Sequence, residues 1–317
     1  MKKNCLLIFL LLNAFAFARS PVPYNAYDGE EISARLSGMG GVGATGGRDA
    51  SVVYTNPAGL FSMGKIFTAS FKLRQTPEKY KSQDILSGRS LIFFGFSGNG
   101  MGLSVRPLSN FSTLQNGTTV EVKVNEFSMG FSNKINKLVD FGMNINYFYG
   151  FMGVSSDYTK ISDANGFGID WGVIYRARPY INFGLSFLNA PASVRWSGYG
   201  SEKPPVVVRS GASVKLKGFL EISADVETRN YKKANSLDKK NVKIYHIGIE
   251  QSILNIIFLR GGLSGEDLNA PKKTVYNAGL GWHKGGVFVD ISWLKKYPSP
   301  QESDYIQSFY LSITSPF

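Results

Sequence analysis

Cysteine and histidine are almost missing from this chain: its 317 residues include one Cys and two His. The cysteine, Cys5, lies at the start of an N-terminal apolar run, and the histidines are His246 and His283. With so few soft ligands, a transition-metal site is not expected, and no cofactor is implied. Disulfides are excluded once that run is removed, so stability has to come from hydrogen bonding and packing. Charge is also sparse, at 18% of residues, against roughly 25% in an ordinary soluble domain. Past residue 20, no stretch approaches the ~18 uncharged apolar residues that a membrane helix needs. A membrane protein of this composition has to be a barrel, whose strands are each apolar on one face only.

Acidic residues are outnumbered, 23 against 35 Lys and Arg, for a net charge of +12. A basic chain invites a nucleic-acid reading. The lysines argue against it, because Lys232-Lys233, Lys239-Lys240, Lys272-Lys273 and Lys295-Lys296 fall between the patterned segments and form no basic helix. Solvated loop charge accounts for them, as does contact with anionic headgroups of outer-membrane lipids.

Residues 1–18 have the form of a secretory signal: Lys2 and Lys3, an apolar run from Cys5 to Phe17, and an Ala16-Phe17-Ala18 cleavage site. Residues 19–64 read as a lead-in followed by a glycine-rich segment, Arg35 to Phe61, RLSGMGGVGATGGRDASVVYTNPAGLF. Gly38, Gly40 and Gly43 formally spell G-x-G-x-x-G, but no buried strand precedes them, so a dinucleotide site is rejected. Asp49 is placed to cap a short helix over Ala50 to Tyr54 that stops at Asn56-Pro57.

From residue 65 to 317 the pattern has period two. Val139, Phe141, Met143, Ile145, Tyr147, Tyr149 and Phe151 form one face of a strand; Asp140, Gly142, Asn144, Asn146 and Gly150 form the other. Such alternation is a sheet with an apolar environment on one side. The spacing predicts about fourteen strands, with short turns after the even-numbered ones and longer polar connections after the odd-numbered ones. Outer-membrane barrels sort their connections this way. Aromatics fall where two interface girdles belong, with Tyr147, Tyr149, Phe151, Trp293, Tyr297 and Tyr305 toward the outer surface and Tyr175, Trp282 and Phe317 toward the periplasmic one. The expected fold is therefore all-β, a transmembrane antiparallel barrel of about 14 strands with a short N-terminal plug. Its last residue, Phe317, is similar to the terminal aromatic that barrel-assembly machinery recognises.

The Asn56-Pro57-Ala58-Gly59 core of the glycine-rich segment resembles the hatch of the long-chain fatty-acid transporter (FadL) family and of the related PorV/PorQ-like proteins. Residues 246–265, HIGIEQSILNIIFLRGGLSG, look like the G-x-E…L-R-x-G stretch of the PorV type, and residues 276–293 look like the pair that follows. The resemblance implies a fourteen-stranded barrel closed by an N-terminal plug.

By parity Arg209, Glu221, Asp225, Glu227, His246, Glu250, Arg260 and Asp290 point inward. Buried charges need partners, and Glu250 with Arg260, on adjacent strands, is the expected pair. These charges either brace the barrel and its plug or clamp the headgroup of a ligand. Phe258, Phe288 and Leu294 are expected to line the lumen beside the plug. No G-x-S-x-G element is present, and enzymatic activity is not expected. The sequons at Asn110 and Asn116 carry no weight in a bacterial outer membrane. Pro107, well along the third strand, removes a ladder donor. The FadL resemblance implies a kinked third strand that opens a lateral gate there; the alternative is that Pro107 merely ends the ordered strand.

Two functions follow from the resemblance. One is passive uptake of a hydrophobic small-molecule ligand, fatty-acid-like, across the bacterial outer membrane. The other is a PorV-like role in which the barrel binds or shuttles a secreted protein partner. The plug motif shared across the superfamily puts uptake first, and an open apolar lumen against a closed charged one would discriminate them.

Overall fold

The computed structural model describes residues 27, 29, 31–76, 90–115, 118–154, 159–232, 239–298 and 301–317. The signal segment, most of the lead-in, Lys233 and the sequon at Asn116 lie outside them. Sixteen strands form: β1 (Ile66–Thr76), β2 (Ser90–Gly98), β3 (Met101–Gln115), β4 (Thr118–Lys134), β5 (Val139–Val154), β6 (Lys160–Arg178), β7 (Ile181–Leu188), β8 (Ala192–Trp196), β9 (Gly200–Glu202), β10 (Val206–Leu216), β11 (Leu220–Lys232), β12 (Lys239–Ile253), β13 (Ile257–Gly265), β14 (Thr274–Lys284), β15 (Val287–Lys296) and β16 (Ile306–Pro316). All neighbours pair antiparallel, and β1 pairs with both β2 and β16, so the ring is closed. Fourteen strands make the ring, as the alternation predicts. The extra two, β8 and β9, form a hairpin within a stretch that reads in sequence as a long connection.

Alternation has turned the usual soluble arrangement inside out. In β5 Asp140, Gly142, Asn144, Asn146, Phe148, Gly150 and Met152 are buried, as is Gly153 at the strand's end, while Ile145, Tyr147 and Tyr149 are exposed. Phe127, Phe167, Phe183, Ile247, Leu259, Leu280 and Ile291 continue the outward apolar belt. A barrel whose exterior faces lipid has this distribution. The even-numbered ring connections are tight, and Asn99-Gly100 between β2 and β3 has positive φ at both residues, the conformation of a two-residue hairpin turn. One connection departs from expectation. β3 and β4 run to Gln115 and Thr118, so only residues 116 and 117 join them, in place of a longer polar loop. Continued pairing, down to Gln115 opposite Thr118, absorbs the polar residues expected to form that loop.

The N-terminal segment lies inside the ring. Its elements are α1 (Ala34–Gly38), α2 (Val52–Thr55) and a 3-10 turn over Pro57–Ser62. Helices this short do not persist alone; these are held by Ile32, Leu36, Val52, Val53, Tyr54 and Leu60, which pack with Phe93 of the wall. Helix α2 begins at Val52, later than the expected Ala50. Asp49 does not cap it: its Oδ1 accepts from the backbone of Ser51 two residues on (2.9 Å), closing a local turn before the helix starts.

Candidate functional site: the plugged lumen and the split in its wall

Asn56 fastens the plug to the wall. Its Oδ1 accepts from Ala58 N at 3.1 Å, starting the 3-10 turn, while Nδ2 donates to Ala44 O at 2.6 Å, Val173 O at 3.2 Å and Leu185 O at 3.3 Å. One side chain thus ties two plug segments to β6 and β7. Pro57 and Ala58 then cross the face of Gly142, where a Cβ would lie 2.3 Å from Pro57 C, and Ser132 Oγ donates to Ala58 O at 3.0 Å. Gly59 packs against Gly46 and Val52 within the plug. The wall adds Asn144 donating to Val53 O (2.5 Å), Ser186 donating to Thr55 O (2.8 Å) and Thr68 Oγ1 accepting from Ala50 N (3.1 Å). Asn56→Ala should therefore weaken plug docking by about 1–3 kcal/mol, the cost of leaving such buried partners unmade. Limited proteolysis of the plug in the folded barrel checks this; cleavage at the wild-type rate would contradict it.

Charges brace the same plug from the opposite wall. Arg260 on β13 donates through Nε to Glu250 (2.6 Å) and through Nη1 to Asp290 (2.6 Å), and it is the cross-strand partner of Glu250. The plug adds two guanidinium groups to this cluster. Arg35 reaches Glu250 at 3.2 Å, and Arg48 lies 3.2 Å from Glu250 and 3.8 Å from Glu221. Farther round, Arg209 is paired with Glu227 and donates to Gly41 O at 2.8 Å. Asp225 accepts from Gly43 N and Ala44 N at 2.6 and 2.8 Å, and His246 Nδ1 meets Gly40 O at 2.7 Å. All the inward charges expected from parity touch the plug or a group that does. Phe258 lies beneath Arg48 and Arg260 rather than facing an open apolar channel. Below them a cavity of about 380 Å³, lined by Arg35, Arg48, Arg176, Lys215, Glu221 and Phe288 among others, opens on the side of the short turns.

The opposite end of the lumen is apolar. Leu108, Val120, Val122, Val124, Phe148, Met152 and Ala164 line it, and Val194 and Trp196 of the β8–β9 hairpin fill it together with Tyr27. Trp196 is 1% exposed. Its indole Nε1 donates to Glu202 at 3.2 Å and to Tyr27 OH at 3.4 Å, and the Tyr27 hydroxyl donates to Glu202 at 2.6 Å. Burial and then the Glu202 carboxylate push the Tyr27 phenol up, so it stays protonated and donating.

Pro107 stands beside this chamber, at a break in the wall. The β2–β3 ladder runs from Gly98↔Met101 to Phe94↔Val105 and ends there, although β2 continues to Ser90 along β1. On its other edge β3 stays paired with β4 through Pro107↔Asn125 and bulges before Ser109↔Val124. Strand three is therefore ordered past Pro107, and only its β2 side is open among the described residues. Behind the opening stand Leu108, Phe93 and the Arg106–Glu126 pair (Nε to Oε2 2.7 Å), with the Arg106 guanidinium 4.0 Å from the centre of the Tyr54 ring.

Sequence reasoning does not find Arg35 and Arg48, whose partners lie on β11 and β12, nor the Tyr27–Trp196–Glu202 cluster. A signal for the latter is present, since Ala192, Val194 and Trp196 alternate within a stretch that otherwise reads as a loop.

No family model matches the sequence, and no curated protein matches it. Solved structures do share its fold. A monoaromatic hydrocarbon channel, CymD, aligns at 14% identity over 92% of this chain and 98% of its own, with a TM-score of 0.65. The P. putida toluene transporter TodX aligns at 13% identity over 92% and 99%, also at 0.65. A Pseudomonas aeruginosa FadL homologue aligns at 11% identity over 91% and 99%, at 0.59. At these identities the shared property is the fold: a closed fourteen-stranded barrel of the FadL type.

Proposed function

We propose that this chain is an outer-membrane channel for passive uptake of hydrophobic small molecules, which leave it sideways through the wall. The observation that carries this reading is the β2-facing edge of β3 at Pro107, which has no ladder partner among the described residues, next to an apolar cluster and above a plug fixed by hydrogen bonds and ion pairs. A hydrophobic molecule entering there meets charge below it, where partition is unfavourable, and an exit beside Leu108 that is flanked by the Arg106–Glu126 pair. The solute classes carried by the fold neighbours, a monoaromatic hydrocarbon channel and a toluene transporter, support an apolar cargo; a fatty-acid-like cargo falls within the same proposal.

Cysteines at Ile92 and Pro107, bridged by a short bis-thiol reagent, test the exit. Past Cys5 the sequence contains no other thiol. Bridging should slow entry of an apolar fluorescent probe into vesicles by about tenfold, a 1.4 kcal/mol rise in barrier, and cleaving a reducible bridge should restore it. Unchanged entry with the bridge in place would rule out the lateral path. One observation favours a second reading: the lumen beside the plug is filled with ion pairs, as expected for a barrel that serves as a partner of exported proteins. Purification in mild detergent separates the two, because a secreted protein retained in fixed stoichiometry, with no apolar ligand, selects the partner role.

A further inference from the structure

From Ile32 to Leu60 the plug is buried except at residues 45–48. That stretch, Thr45-Gly46-Gly47-Arg48, lines the cavity of about 380 Å³ on the side of the short turns, which is the periplasmic side of an outer-membrane barrel. It is also the part of the plug least tied to the barrel. Gly43, Ala44, Ala50 and Asn56 on either side of it are hydrogen-bonded to the wall. Residues 45–48 make no hydrogen bond to the wall among the described residues. Arg48 reaches it by charge alone. Its Nη2 lies 3.2 Å from Glu250 Oε1 without hydrogen-bond geometry, and that oxygen accepts from no protein group. Lys215, near the end of β10, lines the same cavity, and both cations lie 3.8 Å from Glu221 Oε2, too far to donate to it. The side chains of Arg48 and Lys215 are 34% and 44% exposed, against 12% for Glu221 and 1% for Glu250. Arg176 adds a guanidinium that is 29% exposed in front of a fully buried Asp140. Cations with unused donors therefore face the cavity, and the acids stand behind them.

We propose that this cavity binds a phosphate group from the periplasmic side, and that the bound phosphate staples the plug to the wall. Arg48 arrives from the plug, Arg176 from β6 and Lys215 from β10, with the side chains of Asn182 and Ser213 between the wall cations. A carboxylate has two oxygens in one plane and matches one guanidinium fork. A tetrahedral phosphate presents oxygens in several directions at once, which suits two forks and an ammonium approaching from different elements. It makes the link that residues 45–48 lack. Met63, Ile66 and Phe288 form an apolar side of the same cavity, leaving room for a short organic group on the phosphate. The source is thus a free phosphate, a soluble ester or a phospholipid headgroup. The inference does not depend on the uptake reading, because the cavity and the apolar cluster behind Pro107 lie at opposite ends of the lumen.

Calorimetric titration of the full-length barrel with inorganic phosphate, in a detergent buffer free of phosphate and lipid, tests this. Arg48→Gln should weaken binding about tenfold, the worth of one charge-assisted hydrogen bond. Lys215→Glu should abolish it, and Glu221→Gln should tighten it by removing the competing carboxylate. Lys203→Gln, exposed in the connection after β9, should bind as wild type does. Should Arg48→Gln fail to fold, as judged by loss of heat-modifiable migration, Lys215→Glu decides, since it leaves the plug sequence untouched. The staple has its own readout: phosphate at ten times its Kd should slow proteolysis of residues 35–61 in the folded barrel about tenfold. Native mass spectrometry separates the sources. One phospholipid retained by wild type and absent from Lys215→Glu supports a lipid headgroup; an empty barrel that takes up inorganic phosphate supports a free phosphate or soluble ester. No phosphate binding by the lipid-free barrel, acetate bound as tightly as phosphate, or wild-type affinity in Lys215→Glu would overturn the proposal.

Discussion

A Gly184→Ala substitution is expected to unseat the plug and make the barrel leak polar solutes. The Cβ that alanine adds would lie 1.8 Å from Ala44 O and 2.3 Å from its carbonyl carbon. The plug backbone at that point has little room to yield. Ala44 O accepts from Asn56 at 2.6 Å, and Ala44 N donates to Asp225 at 2.8 Å, so it is held from both sides. β7 cannot withdraw either, being paired with β6 and β10. Overpacking of this kind costs about 1–3 kcal/mol and more where backbone rather than a side chain is struck. Single-channel conductance and protease access to residues 35–61 report the result. Gly64→Ala is the matching control, since a Cβ there meets nothing within 4 Å. A Gly184→Ala barrel that stays silent and protected like the control would show that the plug is not seated through this contact.

Arg260→Met should be the most destabilising single change in the lumen. Arg260 holds Glu250 and Asp290 at 2.6 Å each and is itself 1% exposed at its side chain. Glu250 keeps Arg35 and Arg48 when Arg260 is lost, whereas Asp290 has Arg260 as its ion-pair partner among the described residues. Breaking a buried pair by removing one member costs about 3–5 kcal/mol, because the remaining charge stays desolvated. Arg260→Lys should fall between the two, since one ammonium cannot reproduce a fork that meets two carboxylates at once. Neutralising the orphan with Arg260→Met plus Asp290→Asn should recover much of the loss. Urea unfolding of the barrel in lipid vesicles measures all three; a wild-type midpoint for Arg260→Met would mean that these charges contribute nothing to stability.

Much of this molecule is legible in the order of its amino acids. The barrel, its strand number, the inward set Arg209, His246, Glu250, Arg260 and Asp290, and the Glu250–Arg260 pair all follow from alternation. Alternation is a property of two neighbouring residues, so it can be read locally, and counting along adjacent strands places Glu250 opposite Arg260. The Asn-Pro-Ala core is also legible, because the residue before proline is biased away from the helical region and a side-chain amide there can cap the turn that follows, as Asn56 does. What that order cannot decide is where distant pieces meet. Arg35 finds Glu250 across 215 residues, and Asn56 finds Val173 across 117. Gly142 and Gly184 are wall glycines like others in sequence, and they matter because the plug passes in front of them. The β8–β9 hairpin breaks the parity rule, since residues 189–205 leave the ring and turn an alternating stretch inward over the mouth. Likewise Pro107 marks a place where a ladder is weak, but only the closed sheet shows which edge of β3 is left open: β2 turns from it at Phe94 while β4 stays paired past residue 107. Local pattern sets which face each side chain takes; shape complementarity across the closed ring sets which of those faces touch, and the chemistry of this molecule lies in those contacts.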